Sequence, residues 1–399
     1  MSPSPAIAAR AAAVSLLMLM GVAPAGADDF KLAPSLSLKQ EFNDNVLFSS
    51  ASAKSSFITT ASAGVSLLES TERFSARLNA RLDGLIYFPL SDLNALEQRY
   101  AAQGSCLLTP LLQMDARAAF SRQSRPDRLI DTSGLVVSQK SSHQNYAVTG
   151  RAIMTEKLRT ELGYAFDWAD YHDPNVSNVE GHSVKALAQY DLGGTVPNLK
   201  LRGRAGFDSY RYAASTVDNS TLTVGASYPF HELWLVEGDL GARLTQADFT
   251  GRAPSGNISP VRRSSEGDGW VSNVTASYRG EADTAALTLS KDVQNAAGRS
   301  GAVETLAVTL QLSRRLSYEL TCSMAAGYYT NSSKGNELAS RPIDETTIRF
   351  NPSLTYELSP HAALELFYEF ALVQNDQTRS EARSNKVFLS FTLQRLFFQ

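Results

Sequence analysis

ERFSARLNARLDGLIYF, residues 72–88, changes character at every second position. Phe74, Ala76, Leu78, Ala80, Leu82, Gly84, Ile86 and Phe88 form one row of apolar or small side chains, and Arg73, Ser75, Arg77, Asn79, Arg81 and Asp83 stand between them. A period of two is that of an extended strand with chemically distinct faces. Strands of soluble sheets usually end after about five to six residues, whereas an oblique bilayer crossing takes roughly nine to eleven. The row also closes on Tyr87-Phe88, and aromatic rings favour the membrane interface. The stretch therefore reads as the wall of a transmembrane barrel, with lipid on its apolar side and water on its charged side.

The chain ahead of it is built for export. Residues 1–27 read as a secretory signal peptide: Arg10 supplies the positive region, Ala11 to Val22 the apolar region and Ala25-Gly26-Ala27 the small-residue cleavage site. The apolar region is too short for a spanning helix. Residues 28–399 are then one barrel domain, since they hold no other apolar run of helical spanning length. A composition of 43% hydrophobic and 19% charged residues fits a barrel, whose polar lumen offsets its apolar exterior. The formal net charge of -3 gives no electrostatic footprint for nucleic acid. Cys106 and Cys322 are far apart, have no metal-ligand spacing, and read as unpaired small apolar residues.

Strands of similar length follow from residue 32 onward, at about 32–42, 56–68, 72–88, 93–107, 111–122, 141–154, 158–171, 181–192, 198–211, 219–230, 233–248, 266–279, 282–293, 302–314, 317–330, 344–358, 361–373 and 384–397. The fold class is all-β: an antiparallel up-and-down transmembrane barrel of about 18 strands, within a range of 16–18. Connections after even-numbered strands are tight, as at Glu69-Ser70-Thr71, Thr109-Pro110 and Ser359-Pro360. Those after odd-numbered strands are longer and polar, as at residues 43–55, 124–140 and 249–265. Short turns at the periplasmic rim and longer loops outside are the sidedness of outer-membrane barrels. Both chain ends then fall on the periplasmic side.

No catalytic, cofactor-binding or metal-binding set is expected. His143, His172, His182, His231 and His361 are scattered, without a spacing that puts ligands on one face. No nucleophile elbow or phosphate-cradling glycine loop is present. Asn43-Asp44-Asn45 reads as an Asx turn ending the first strand.

The candidate functional residues are those of the charged phase, expected to line the pore. Early strands supply Arg73, Arg77, Arg81, Arg117, Arg159, Arg202 and Arg204, with Asp83 interleaved; late strands supply Glu319, Glu357, Glu365 and Glu369. Two readings stand: a basic arc facing an acidic arc across water, which orients polar solutes, or local cross-strand ion pairs that only solvate the wall. Tyr87, Tyr210, Tyr329 and Phe367 fall in the same phase and are candidates to stack on sugar rings.

Val387 to Phe398 resembles the C-terminal strand that the outer-membrane assembly machinery reads, with Phe391, Leu393, Leu396 and Phe398 as its signal residues. The alternation changes phase at Gln394-Arg395, where a bulge would restore the outward face.

Pro34 to Val46, PSLSLKQEFNDNV, followed by Ser56-Phe57-Ile58-Thr59-Thr60 and Gly64-Val65-Ser66-Leu67, resembles the porin-2-like outer-membrane β-barrel family associated with exopolysaccharide loci. An aromatic followed by an Asp/Asn cluster and an F-I-T strand opening carry the resemblance over residues 31–88. It implies a non-enzymatic conduit in the bacterial outer membrane for a secreted polysaccharide chain. The implied partners are outer-membrane lipid and a periplasmic polysaccharide-export protein docked on the short-turn side. The alternative is a general diffusion porin for small polar solutes. A third reading is an outer-membrane hydrolase.

Overall fold

The computed structural model describes residues 29–173, 176–252, 260–296, 301–333 and 342–397. The proposed signal peptide and Phe398 lie outside them. The strands are β1 (Asp29–Asn43), β2 (Ser56–Ser70), β3 (Phe74–Phe88), β4 (Ala95–Thr109), β5 (Leu112–Gln123), β6 (Arg128–Leu129), β7 (Val136–Val137), β8 (Ser141–Ile153), β9 (Leu158–Tyr171) and β10 (Val179–Asp191). They continue as β11 (Lys200–Tyr212), β12 (Ser215–His231), β13 (Trp234–Arg252), β14 (Pro260–Arg279), β15 (Asp283–Asn295), β16 (Ala302–Arg315), β17 (Leu320–Ser333), β18 (Ile343–Ser359), β19 (Ala362–Asn375) and β20 (Ser380–Gln394). All but β6 and β7 form one 18-stranded antiparallel sheet that closes on itself through β1 and β20. The barrel predicted from alternation is therefore the fold. Most strand ends differ from the expected ones by a few residues, and β14 begins at Pro260 rather than 266. There β13 and β14 pair up to Arg252↔Pro260. A hairpin above the membrane needs no apolar face, so periodicity is silent about it.

The two faces sort as the period of two requires. Leu82, Ile86 and Phe88 of β3 point out and are exposed, while Asp83, Leu85 and Tyr87 point in and are buried. Outward positions elsewhere are also apolar and open, with Leu222, Val224 and Leu244 66–70% exposed. In water so much exposed apolar side chain is unfavourable at about 25 cal/mol per Å²; a bilayer removes that cost. Aromatic pairs mark both rims of the belt: Phe42–Phe57 at 5.0 Å near the long loops, and Phe230–Trp234 at 5.9 Å and Trp234–Tyr278 at 5.1 Å near the short turns. Cys106 and Cys322 are free thiols.

At the seam, Leu36↔Leu393 and Leu32↔Phe397 lie on one continuous antiparallel register. No bulge occurs at Gln394-Arg395, so Phe397, rather than Leu396, continues the outward phase of Phe391 and Leu393. Pairing with β1 holds the backbone in register, and the sequence pattern alone carries no such information.

Inside, the two ends differ. The short-turn half is open, with a cavity of about 810 Å³ whose lining includes Ser313, Ser323, Asn351, Ser353 and Phe367. Buried apolar side chains gather at the long-loop end, where Leu135 and Val137 pack with Val217, Ala247, Phe249 and Ile343. Glycine permits close inner contacts at one conspicuous place. Arg202 on β11 reaches across β12 to Asp239 on β13 at 3.1 Å, and Gly225 lies between them in register. A Cβ on Gly225 would stand 2.2 Å from Asp239 Oδ1.

Two arginine substitutions test the sidedness. Val224→Arg on the lipid face should destabilise the barrel by about 2–4 kcal/mol, read as a lower temperature for loss of the compact band in unheated gels. Ser353→Arg, on the wall of the open cavity, should leave that temperature nearly unchanged.

Candidate functional site: a constriction across the bore

Residues 124–140, SRPDRLIDTSGLVVSQK, connect β5 to β8 and fold into the barrel. A loop bathed in water has no use for Leu129-Ile130 and Leu135-Val136-Val137; here Leu129, Leu135 and Val137 are buried. β6 and β7 pair as a short hairpin, closed by Ile130 N–H to Leu135 O at 2.9 Å and Gly134 N–H to Ile130 O at 2.7 Å. Gly134 has φ +66, a left-handed conformation that favours glycine. A Cβ there would also meet Tyr329 Cδ2 at 2.8 Å and Thr347 Cβ at 3.0 Å, so glycine lets the tip touch the opposite wall.

That wall is far around the ring. Through β1 and β20, β17 is eight strands from β5 in the closed order, so the tip crosses close to a diameter. Tyr329 Oη donates to Asp131 O at 3.1 Å, Asn331 Nδ2 to Ser133 O at 2.7 Å and Thr347 Oγ1 to Gly134 O at 3.0 Å. On the near side, Glu97 Oε1 accepts the Ser124 N–H at 2.8 Å.

A chain of charges ties the loop down. Arg125 donates to Glu41 at 3.0 Å and lies 3.0 Å from Asp127. Asp127 lies 2.8 Å from Lys386 Nζ, which is 2.6 Å from Glu369; Glu369 is 2.8 Å from Arg349, and Arg349 is 2.6 Å from Asp131. Asp127 is fully buried and also accepts from Asn43 Nδ2 at 2.9 Å. Burial alone would raise its carboxyl, but the Arg125 guanidinium and Lys386 ammonium outweigh that and hold it well below the usual carboxylate range.

Between this loop and the wall of β4, β8, β9, β11 and β15 a cavity of about 920 Å³ remains. Cavities that enclose small ligands occupy roughly 300–1,000 Å³.

The residues expected to line the pore fall into several groups. Arg77, Arg117 and Arg159 point into the bore and are exposed, and among the described residues none has a carboxylate within 4.0 Å. Arg81 lies 2.7 Å from Asp83, and Arg202 and Arg204 converge on Asp239 at 3.1 and 3.0 Å. Glu369 belongs to the charge chain, while Glu357 and Glu365 stand in the inward phase of β18 and β19. Arg73 and Glu319 are corrections: both lie in short turns, exposed, one residue before a strand begins. Thr71 Oγ1 takes the Arg73 and Phe74 amides at 3.2 and 2.9 Å, and Ser317 Oγ takes those of Glu319 and Leu320 at 3.3 and 3.1 Å. Tyr87 and Tyr329 are buried and unable to offer a ring face to a solute. Phe367 stacks on Phe388 with centroids 4.6 Å apart.

The expected Asx turn is present, with Asn45 N–H donating to Asn43 Oδ1 at 2.8 Å. Its further role was not legible: Asn43 also contacts Ser384 on β20, and Asp44 Oδ2 accepts from Asn385 Nδ2 at 2.6 Å. The signal for the constriction itself was the apolar content of residues 129–137, unusual for an outer loop.

An even number of strands, an apolar girdle, short turns at one rim and long loops at the other make this the architecture of a bacterial outer-membrane porin. No protein-family model and no curated protein matches the chain. The porin-2-like resemblance of residues 31–88 thus has no family model behind it. Among solved structures the chain is similar to Acinetobacter baumannii OccAB4, at 11% identity over 92% of this chain and 98% of that one, with a TM-score of 0.47. It is also similar to Pseudomonas aeruginosa OccK2 (OpdF), at 13% over 92% and 98%, TM-score 0.49. A third is Pseudomonas aeruginosa OpdK with vanillate, at 12% over 92% and 99%, TM-score 0.48. Likeness at this level carries no substrate to this chain.

The tether has a defined pH range. A carboxyl with a lowered folded value contributes stability that is complete above its unfolded value of about 3.9 and is lost as pH falls through the folded value. Single-channel conductance should therefore be steady from neutral pH down to about 4 and become noisy only below. Asp127→Asn should show the same noise at neutral pH, since breaking a buried ion pair costs up to about 3–5 kcal/mol.

Proposed function

We propose that this protein is a bacterial outer-membrane channel through which small polar solutes diffuse, exported by the signal peptide at residues 1–27 and inserted with the help of its C-terminal strand. One observation carries the reading: residues 124–140 cross the bore and are tied to the far wall by the charge chain from Glu41 to Asp131. The space left has the size of a small-solute site. An open eighteen-stranded cylinder would be wide enough for an aqueous channel; the crossing loop makes it a filter.

The same observation weighs against polysaccharide export. A polymer chain must either thread the remaining cavity or displace the loop, and displacement separates the two buried pairs that join loop to wall, Arg125–Glu41 and Asp127–Lys386, together with Arg349 and the exposed Asp131. The proposed docking of a periplasmic polysaccharide-export protein loses its support with it. A hydrolase is not favoured either. Ser141 Oγ lies 3.0 Å from His143 Nε2, but Ser141 is fully buried and the group beside that imidazole nitrogen is the Arg128 guanidinium at 3.3 Å. A cation there opposes the proton uptake a general base requires.

Reconstituted into liposomes, the full chain should admit solutes up to about the size of a disaccharide, consistent with a ligand-sized cavity, and exclude decasaccharides. Removing residues 129–136 should raise conductance several-fold and admit the larger sugars. Passage of the decasaccharide through the intact protein would overturn the reading.

A further inference from the structure

Five of the ten charged side chains that line the constriction cavity are ion-paired; the five that are not, among the described residues, are Arg128 of the loop and Asp167, Lys185, Asp208 and Asp292 of the wall. Glu97 takes the Ser124 amide and lies 3.3 Å from Arg99, and Asp131 and Arg349 pair. Arg128 is different: its guanidinium contacts Gln123 Oε1, Ser141 Oγ at 3.0 Å and His143 Nε2 at 3.3 Å, and among the described residues no carboxylate lies within 4.0 Å. It stands beside β5 and β8 as a cationic pole and carries the unpaired positive charge of this side, since the neighbouring half-exposed Arg99 of β4 is shared by Glu97 at 3.3 Å and Asp83 at 3.8 Å.

The other pole is acidic. Asp167 accepts from Asn145 Nδ2 at 2.6 Å, Asp292 accepts only the amide of Val293 at 2.7 Å, and Asp208 has no hydrogen-bond or ion-pair partner among the described residues. Asp208 lies within electrostatic range of both other carboxylates. Lys185 stands near them, flanked in register by Gly163 and Gly206, with no carboxylate within 4.0 Å among the described residues. Three carboxylates against one ammonium leave this side negative. Counted around the closed sheet, β15 is eight strands from β5 and seven from β8, the strands that hold the Arg128 guanidinium, so Asp292 lies across the bore from it, whereas Asp167 on β9 is one strand from β8. All these groups line the one cavity.

We propose that this cavity selects dipolar solutes, molecules with one cationic and one anionic group such as amino acids, a deepening that rests on the small-solute reading above. The ammonium end meets Asp208 and its neighbours while the carboxylate end meets Arg128. A solute with a single charge is attracted by one pole and repelled by the other. Opposed fixed charges in a narrow, poorly screened passage raise the local concentration of a matching solute.

Serine, lactate and ethanolamine are similar in size and differ in this one respect. In proteoliposomes of the full chain, labelled serine should enter about tenfold faster than either of the others, the lower end of such electrostatic focusing. Arg128→Gln should slow serine and lactate and spare ethanolamine; Asp208→Asn should slow serine and ethanolamine and spare lactate. Potassium chloride conductance of each variant reports that the barrel has folded. Equal entry of all three solutes through a conducting channel would overturn the dipolar selectivity and leave the small-solute channel standing. No entry and no conductance from the unaltered protein would overturn both.

Discussion

The rest of this structure depends on closure. In hydrocarbon an unpaired backbone amide costs several kcal/mol, so a sheet can cross a bilayer only if its first and last strands find each other. Here β20 does so along Ser35↔Gln394 to Asn43↔Lys386. Once the sheet is a cylinder, each strand has one face toward lipid and one toward water. The alternation in residues 72–88 is the imprint of that geometry on sequence.

Closure and constriction share residues. Asn43, at the outer end of β1, bonds Ser384 of β20 and Asp127 of the loop, and Lys386 of β20 holds Asp127 and Glu369. The loop that narrows the bore thus also clamps the seam where the barrel closes. Buried ion pairs are weak stabilisers when compared with apolar replacements, yet removing one member is expensive. Such a network suits a part whose position matters more than its contribution to stability. It leaves Asp167, Lys185 and Asp208, on β9 to β11, free of ion pairs among the described residues and facing the cavity.

The fold was legible because lipid enforces a two-residue period over whole strands, as at Leu162, Tyr164, Phe166 and Trp168 against Arg159, Glu161 and Asp167. What the period cannot carry was misplaced or missed. Arg73 and Glu319 keep the strand phase in sequence, but a threonine and a serine turn the chain just before them. The bulge expected at Gln394 is absent because pairing with β1 sets the register. The charge chain was hidden for a different reason: Glu41, Asp127 and Arg349 meet only when a loop crosses the cylinder, a relation between residues 84 and more positions apart. Polysaccharide export came from a resemblance confined to the first strands, and that stretch says nothing about residues 124–140.

The crossing of the bore by that loop is the claim on which the account turns, and a spin-label distance tests it directly. With Cys106→Ser and Cys322→Ser removing the native thiols, labels are placed on cysteines at Thr132, on the loop tip, and at Ser332, beside the Asn331 that holds the tip. In lipid at neutral pH the account predicts one short, narrow distance distribution that broadens when Asp127 is also replaced by asparagine. A long or broad distribution in the otherwise unaltered barrel would mean that the loop stands outside and the bore is open.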